Sequence, residues 1–287
     1  MGTPVTDALR LPAGPVDLGA FDPSATPLAP GGKAETKAAF EEVGDELFEL
    51  GELLFSQGST ERPPRVLVVL QGMDGSGKGG AVKHVGGRLN PQVLHVAAFD
   101  APTEEERAHH FLWRIRRQVP PPARVGFFDR SHYEDVLVPR VKELVPPEVW
   151  EARYAEINAF EQELVGEGVT LLKVLLLISP REQLERMARR LERPDKHWKY
   201  DAGDIDEHGR WAQYVEAYEA ALELCNRPGA PWHVLPADRK WYRNWALAQL
   251  LVETLRGLDL RSPERLDLDL EAERRRVAAA QAALPDG

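Results

Sequence analysis

Short, almost uninterrupted apolar runs alternate along the chain with stretches in which apolar residues recur at helical spacing. The runs are strand-sized and bounded by turn residues, which predicts β-strands. They cover residues 65–70, 93–99, 125–129, 169–178 and 232–235. Helices are predicted over residues 33–57, 81–89, 104–118, 180–191 and 241–255, with further helical segments up to residue 164 and from 206 to 225.

The order of these elements predicts the fold class. Strands that alternate with helices form a parallel sheet with helices on both faces. Strands that are covered on both faces are continuously apolar rather than alternating, as these are. The sequence therefore predicts an α/β protein of three layers, with a central parallel sheet between two layers of helices.

The predicted elements divide the chain into three parts. They fill residues 33–257, and 43% hydrophobic residues in a chain of 287 are enough for one large domain with a real core. Residues 1–32 are rich in Pro, Gly, Ala and Asp and lack the basic-then-apolar order of a secretory signal. We expect them to form a mobile arm that can pack onto the body. Residues 258–287 are predicted to form a charged tail.

Composition excludes several classes of protein. No apolar run reaches the roughly 18 residues of a membrane span, and the longest, 171–178, is interrupted by Lys173. The formal net charge of −10 argues against a general nucleic-acid binder. The single cysteine, Cys225, can form neither an internal disulfide nor a metal cluster. We expect a cytoplasmic protein that would bind an anionic substrate through locally gathered positive charge.

A glycine-rich loop with a lysine follows the first predicted strand. Residues 72–78 have the spacing G-x-x-x-x-G-K, and a predicted helix follows. Glycines let consecutive backbone N–H groups point inward around phosphate oxygens, and the helix directs its positive end at them. The alternative is a glycine-rich turn with an incidental lysine. The predicted phosphate-binding residues of this P-loop are Gly75, Ser76, Gly77, Lys78, Gly79 and Gly80.

The residue after Lys78 is Gly79, where this kind of loop usually has a Ser or Thr that binds Mg²⁺. Another group must then hold the metal, and Asp74 is the candidate because Mg²⁺ prefers carboxylate oxygen. A second carboxylate, Asp129, ends the third predicted strand at the edge where α/β folds bind ligands. Asp74 could instead cap the turn, and Asp129 could cap the segment that follows it. Together, however, the two predict a site for Mg²⁺ or Mn²⁺.

Residues 181–199 contain seven Lys or Arg against four Asp or Glu. Spacing predicts that the arginines of the first part share one helical face and that the apolar residues pack down on the other. The arginines are Arg186, Arg189, Arg190 and Arg193, and the apolar residues are Leu184, Met187 and Leu191. A basic segment after the fourth strand favours a lid over residues 181–206 that closes on the transferring phosphates. The alternative is an ordinary solvated helix face.

A second cationic stretch lies between residues 107 and 117. It consists of Arg107, His109, His110, Arg114, Arg116 and Arg117. The stretch could line the route of an anionic substrate or form the solvated side of an amphipathic helix, and the sequence does not separate these alternatives.

Four blocks of sequence resemble the polyphosphate kinase 2 family. They are GMDGSGKGG at 72–80, HHFLWR at 109–114, FFDRSHYEDVLV at 127–138 and RRLERPDKHWK at 189–199. They occur in the family's order, and the resemblance covers roughly residues 33–257. Gly79, unusual for other P-loops, is what this family has.

The resemblance implies a P-loop kinase fold and reversible phosphoryl transfer between inorganic polyphosphate and a nucleotide, forming ATP from ADP or AMP. It implies that Asp74 and Asp129 hold Mg²⁺ and orient the acceptor. It also implies that cationic side chains neutralise the transferring group. The predicted catalytic residues are Asp74, Lys78, Asp129, Arg130 and Arg190, and Arg189 and Arg193 are predicted to bind phosphate. Family members associate as dimers or tetramers, so we expect a homo-oligomer.

Two other functions are weighed against this one. A thymidylate-kinase-like nucleoside monophosphate kinase has a similar loop, strand end and lid, but it keeps Ser or Thr where this chain has Gly79. A non-catalytic nucleotide-binding protein would be favoured by loss of Lys78 or of either aspartate, and all three are present.

Overall fold

A parallel sheet of five strands forms the centre of the computed structural model, which describes residues 3–261 and 268–284. The strands are β1 (Arg65–Gln71), β2 (Leu94–Ala98), β3 (Val125–Asp129), β4 (Val169–Leu177) and β5 (Trp232–Pro236). Their order in the sheet is β2-β3-β1-β4-β5, and all neighbouring pairs are parallel. The five predicted strands and the predicted α/β fold are confirmed.

Helices cover both faces of the sheet. Before and after β1 they are α1 (Val5–Leu9), α2 (Lys33–Ser56), α3 (Lys78–Val85), α4 (Glu104–Arg107), α5 (Leu112–Arg116), α6 (Glu134–Val141) and α7 (Pro147–Gly166). After β4 they are α8 (Pro180–Leu191), α9 (Gly203–His208), α10 (Trp211–Leu224), α11 (Lys240–Arg256) and α12 (Leu270–Ala282). Short 3₁₀ turns occupy Leu18–Ala20, Gln57–Ser59, Gly86–Arg88 and Pro194–Lys199. No helix in the described ranges is long and apolar enough to cross a membrane.

Alternate residues of β1 divide the interior into two hydrophobic clusters. Val66, Val68 and Leu70 belong to the cluster under α2, α3 and α11, whereas Leu67 and Val69 belong to the cluster under α6, α7 and α10. Successive side chains of a strand point to opposite faces, so a strand covered on both sides must be apolar throughout. This is why β1 reads as a continuous apolar run.

The position of β1 in the middle of the sheet determines where the site lies. Leu70 of β1 pairs with Asp129 of β3, and Gln71 pairs with Leu175 of β4. Because all strands run the same way, the loop after β1 and the side chain at the end of β3 meet at one edge. The predicted P-loop and the predicted strand-end aspartate are therefore neighbours.

The single helix predicted over residues 104–118 is wrong, because the structure has α4 and α5 with a break between them. Thr103 forms a capping box with Glu106 that starts the four-residue α4. The break allows Leu112 and Ile115 of α5 to be buried against the sheet. It also brings Arg114 to the carbonyl of Asp100, to which it donates at 2.8 Å.

The described part of the N-terminal arm lies on the body at the open edge of β5. Val5, Leu9, Leu11 and Leu18 are buried. The Leu11 amide donates to the Trp232 carbonyl (2.8 Å), and the amides of Val5 and Thr6 donate to the Glu253 carboxylate (3.0 and 2.7 Å). The arm thus covers a sheet edge that would otherwise expose unpaired backbone groups. Its mobility stays a prediction.

The predicted charged tail contains α12, none of whose residues is buried. Pairs of opposite charge three residues apart, Glu271–Arg274 and Glu273–Arg276, lie along it. Such pairs support a solvated helix. Residues 262–267 and 285–287 of the tail lie outside the described residues.

Candidate active site

The P-loop adopts a backbone that only glycine accommodates easily. Gly72, Gly75 and Gly77 have φ of 147°, 79° and 96°, in a region that side chains disfavour. A Cβ at Gly72 would also lie 2.6 Å from the Leu176 carbonyl oxygen. Lys78 is the first residue of α3, so the loop lies at the positive end of a helix.

Lys78 folds back over its own loop. Its side chain is buried, and Nζ donates to the carbonyls of Gly72 (2.6 Å) and Met73 (3.4 Å). Ser76 is also buried, and its Oγ has no hydrogen-bond partner among the described residues. A lysine whose hydrogen bonds go only to carbonyls can redirect them to phosphate oxygens without breaking an ion pair.

Gly79 and Asp129 lie against each other. A Cβ placed on Gly79 would lie 3.1 Å from Oδ2 of Asp129, closer than side chains normally approach. The strand-end carboxylate therefore lies beside the helix position that carries a hydroxyl in other P-loops. Gly79 lacks the hydroxyl of other P-loops, and the carboxylate of Asp129 lies beside the place where that hydroxyl would be.

Arg130 links the loop to the next strand. It has a positive φ of 65° and donates to Asp74 (3.0 Å) and Asp100 (3.1 Å). Burial would lower the pKa of Arg130, but the carboxylates of Asp74, Glu134 and Asp129 raise it overall. Burial would raise the pKa of Asp74, but the charges of Lys78, Arg130 and Arg190 lower it overall. Asp74 is thus a carboxylate at neutral pH, as a metal ligand must be.

Glu134 is a third carboxylate at this edge of the sheet, and its sequence pattern alone predicted no role for it. It lies at the start of α6, and Gln71 donates to its Oε1 (3.0 Å). Burial raises its pKa, and Lys78 and Arg130 oppose this only in part. The signal that could have found it is its position at the start of the helix that follows the strand ending at Asp129, which places it at the same edge of the sheet.

A cavity of about 440 Å³ opens beside these residues. Its lining includes charged side chains, among them Asp74, Lys78, Arg130 and Glu134. It also includes apolar or aromatic side chains, among them Phe99, Pro102, Leu137, Val138, Tyr214 and Tyr218. This combination suits a ligand that carries both an anionic group and a flat, weakly polar group.

The expectation that four arginines of the lid share a face opposite packed apolar residues is wrong. Arg186 is buried, whereas Leu184 and Leu191 are exposed and only Met187 packs down as expected. Arg186 donates to the carbonyls of Gly75 (2.8 Å), Ser76 (2.7 Å) and Ala237 (2.6 Å). The helix α8 turns this arginine inward because the backbone of the P-loop offers it buried acceptors, a reason that spacing alone cannot reveal.

The three remaining lid arginines are paired with acids and do not line the cavity. Arg189 donates to Glu182 (2.8 Å), Arg190 to Asp204 (2.8 Å) and Arg193 to Asp195 (2.9 Å). Arg190 is the one whose charge acts on Asp74. The structure therefore brings Asp74, Lys78 and Arg130 together at the cavity, places Asp129 beside them, and leaves Arg189 and Arg193 apart.

The second cationic stretch divides between the two alternatives. Arg114 is buried, lines the cavity and lies 3.4 Å from Asp135. By contrast, Arg116 and His110 pair with Glu163 and Glu156 on α7, both at 2.6 Å. One residue of the stretch thus lines the cavity, and these two connect the stretch to α7.

The strand order, the glycine-rich loop after β1 and the aspartate at the end of β3 together define a P-loop kinase-type α/β protein. The family model for polyphosphate kinase 2 (PPK2) matches residues 33–263. The chain belongs to the polyphosphate kinase 2 family, and the predicted membership is confirmed.

Relatives and solved structures agree with this assignment. The chain is 46% identical over 253 residues to the AMP/ADP-polyphosphate phosphotransferase of Meiothermus ruber, covering 88% of this chain and 93% of that one. It is 34% identical to the ADP-polyphosphate phosphotransferase of Rhodopseudomonas palustris, covering 87% and 89% of the two chains. The crystal structure of polyphosphate kinase 2 from Arthrobacter aurescens TC1 superimposes with a TM-score of 0.93 at 46% identity, covering 96% and 97%.

Proposed function

We propose that this protein transfers a phosphoryl group between inorganic polyphosphate and a nucleoside mono- or diphosphate, forming ATP from ADP or AMP. The observation that carries the proposal is that the P-loop lysine, Asp74 and Arg130 all line one cavity, where Arg130 donates to Asp74. Membership of the family supports it. The name of the Meiothermus ruber relative, which specifies both AMP and ADP, supports both acceptors.

The two substrates would bind on different sides of the site at the carboxyl ends of the strands. The P-loop would hold the donor phosphates, because its N–H groups and Lys78 form a cationic nest. The acceptor nucleotide would occupy the cavity, with its phosphate beside Arg130 and its base against the apolar and aromatic side chains of the lining. The terminal donor phosphate and the acceptor phosphate would then meet between Lys78 and Arg130.

The residues present fit a divalent metal ion. Asp74 has a lowered pKa, and Asp129 lies beside the P-loop at the position of the missing hydroxyl. The described residues contain no cluster of three or more His, Cys, Asp or Glu arranged around a metal, and Mg²⁺ commonly takes one or two carboxylates and retains water. Asp74 and Asp129 would hold Mg²⁺ or Mn²⁺. Such an ion supplies charge that stabilises the transferring phosphoryl group.

The protein's own part in the reaction is positioning and neutralisation of charge. Lys78 would exchange its carbonyl partners for phosphate oxygens, and Arg130 would hold the acceptor phosphate in line with the donor. Arg189, Arg190 and Arg193 would leave their acidic partners when the lid closes. Arg190, whose charge already acts on Asp74, would move least. No covalent intermediate with the protein is required.

The decisive experiment measures ATP formation by purified protein supplied with Mg²⁺ and long-chain polyphosphate, with ADP and AMP tested separately. ATP from either acceptor supports the proposal, and the ratio of the two rates establishes acceptor preference. Lys78→Ala is the control for traces of other kinases. If no ATP forms, but ATP phosphorylates a nucleoside monophosphate, the protein is a nucleoside monophosphate kinase.

Two expectations about the whole protein stay proposals. We expect a dimer or a tetramer in solution, which sedimentation or light scattering would measure. We also expect a cytoplasmic location, where nucleotides and polyphosphate are both available.

A further inference from the structure

A buried arginine lies directly behind the P-loop. Arg243, on the first turn of α11, is 3% exposed. Its Nη1 lies 2.0 Å from the position that a Cβ on Gly77 would occupy, and its Nη2 lies 3.4 Å from the corresponding position on Gly80. The guanidinium therefore packs against the loop at both glycines, and a side chain at Gly77 would displace it.

The charge of Arg243 is unbalanced within the described residues. Its hydrogen bonds go to the neutral Oδ1 of Asn244 (3.1 and 2.7 Å), and no salt bridge is formed with a described carboxylate. Burial and the nearby charge of Arg186 lower its pKa to about 10.

The groups around Arg243 add to the positive charge. Burial, followed by the charges of Arg186 and Arg189, lowers the pKa of Lys240. Burial and then the charge of Arg243 lower the pKa of His84 on α3. Arg186 on α8 and Lys240 and Arg243 on α11 are thus three cationic side chains that repel one another beside a loop built to bind anions, and His84 is held neutral next to them.

Arg186 is the other arginine buried against this loop, and its many hydrogen bonds are those of a residue that holds the structure together. It donates to four backbone carbonyls and to the Glu182 carboxylate, at distances from 2.6 to 3.1 Å. Arg243 makes none of these contacts. A buried charge without a counter-charge destabilises a fold, and an apolar residue of similar size is often the more stable choice. Stability therefore does not explain why an arginine stands at position 243.

We propose that Arg243 is a positioning residue for the donor: its charge behind Gly77 is balanced only when a chain of phosphates occupies the P-loop. This inference rests on the proposed function, because it assumes that the donor binds to that loop. The bound phosphates supply the missing negative charge, and the guanidinium keeps the loop at the distance that they require. The buried charge therefore makes the ligand-free protein less stable, and the same charge strengthens binding of the donor.

The test uses the full chain and inorganic tripolyphosphate with Mg²⁺ as the probe. The melting temperature is measured with and without the probe for the wild type, Arg243→Met, Arg243→Lys and Lys78→Ala, and Arg256→Gln is the matched control. Arg256 lies on the same helix but is exposed and paired with Glu46. Steady-state kinetics with polyphosphate give KM and kcat separately.

We expect Arg243→Met to melt at the same temperature as the wild type or higher without the probe, and to lose most of the increase that tripolyphosphate causes. Its affinity for the probe should fall about 10- to 100-fold, as for loss of one charged contact, and the KM for polyphosphate should rise. Arg243→Lys should retain part of the increase, and Arg256→Gln should retain all of it.

Two outcomes would overturn the inference, and they differ from failure of the proposed function. Arg243→Met could fail to fold or melt well below the wild type, which would make Arg243 an anchor like Arg186. It could also respond to tripolyphosphate as the wild type does. If the wild type itself shows no response, and Lys78→Ala behaves in the same way, the donor assignment is wrong and the inference fails with it.

Discussion

Two clusters of buried acids and bases in this protein are organised in opposite ways. In the first, under α7, Lys173 donates to Glu161 (2.6 Å), Tyr133 (3.1 Å) and the Cys225 carbonyl (2.7 Å), which uses all three of its protons. In the second, at the P-loop, Lys78 is bonded only to backbone carbonyls and Arg130 faces an open cavity. We call the first cluster closed, because every proton of its lysine has a partner within the protein. We call the second cluster open, because its cationic side chains can still bind a ligand.

The two buried glutamates show the same difference. Burial would raise the pKa of Glu161, but Lys173 and His132 lower it below its usual value. The pKa of Glu134 is raised, because burial outweighs the charges of Lys78 and Arg130. A complete buried ion pair stabilises the charged form of Glu161. At the P-loop, the nearby cations offset the effect of burial on Glu134 only in part. Perturbed groups of the second kind are the better guide to function.

The largest effect that we expect comes from opening the closed cluster. Lys173→Met leaves Glu161 buried without its partner and should lower the free energy of unfolding by about 3–5 kcal/mol. Chemical denaturation measures this, and activity per folded molecule should be unchanged. The double variant Lys173→Met/Glu161→Leu is the control and should recover much of the loss. A single variant as stable as the wild type would show that the pair contributes no specific stabilisation.

Removing charge from the open cluster should affect catalysis instead. Lys78→Ala or Asp129→Ala should lower kcat by about 100- to 1,000-fold, as for loss of one preorganised group that stabilises the transition state. The melting temperature should change little, because Lys78 forms no ion pair in the described structure. Near-normal turnover of polyphosphate by either variant would contradict the P-loop mechanism.

A smaller effect is expected from the lid. Replacing Arg190 and Arg193 together by alanine should lower kcat with long polyphosphate about tenfold, as for one or two charged hydrogen bonds, and should leave nucleotide affinity almost unchanged. Arg181→Ala is a matched control, since Arg181 is an exposed arginine on α8, the helix that carries Arg190, and pairs with Glu185. Equal loss of nucleotide binding would place these arginines on the acceptor.

The smallest effect concerns pH. The pKa of Glu161 is lower in the folded state than its reference value of 4.5. Its contribution to stability is therefore fully present above about pH 4.5 and is lost as the pH falls through the folded pKa. Denaturation at pH 7 and pH 4 should show a larger loss for the wild type than for Lys173→Met/Glu161→Leu. Equal losses would assign the acid sensitivity to other carboxylates.

Much of the fold and part of the site could be predicted because the signals are local. The strands are continuous apolar runs, and the P-loop is a contiguous motif whose glycines have the positive φ that its geometry requires. Asp129 could be found because it ends a strand. These features depend on a few neighbouring residues, so their spacing is enough.

The rest depends on contacts between distant segments. Arg186 turns inward to reach carbonyls 110 residues away, and Arg243 meets Gly77 only because α11 packs beside α3. The break between α4 and α5 likewise follows from the packing of Arg114 against Asp100 and Asp135. No periodicity within a helix could have separated these buried arginines from exposed ones.

The first residues of the arm contact the last part of the domain, and this affects the order in which the protein folds during its synthesis. Val5, Leu11 and Leu18 bond to Glu253, Trp232 and Glu219, more than two hundred positions further along the chain. A growing chain emerges from its first residue onward and folds as its partners appear. The amino-terminal segment must therefore remain unattached on the ribosome until almost the whole domain has been translated, and its docking would be among the last steps of folding.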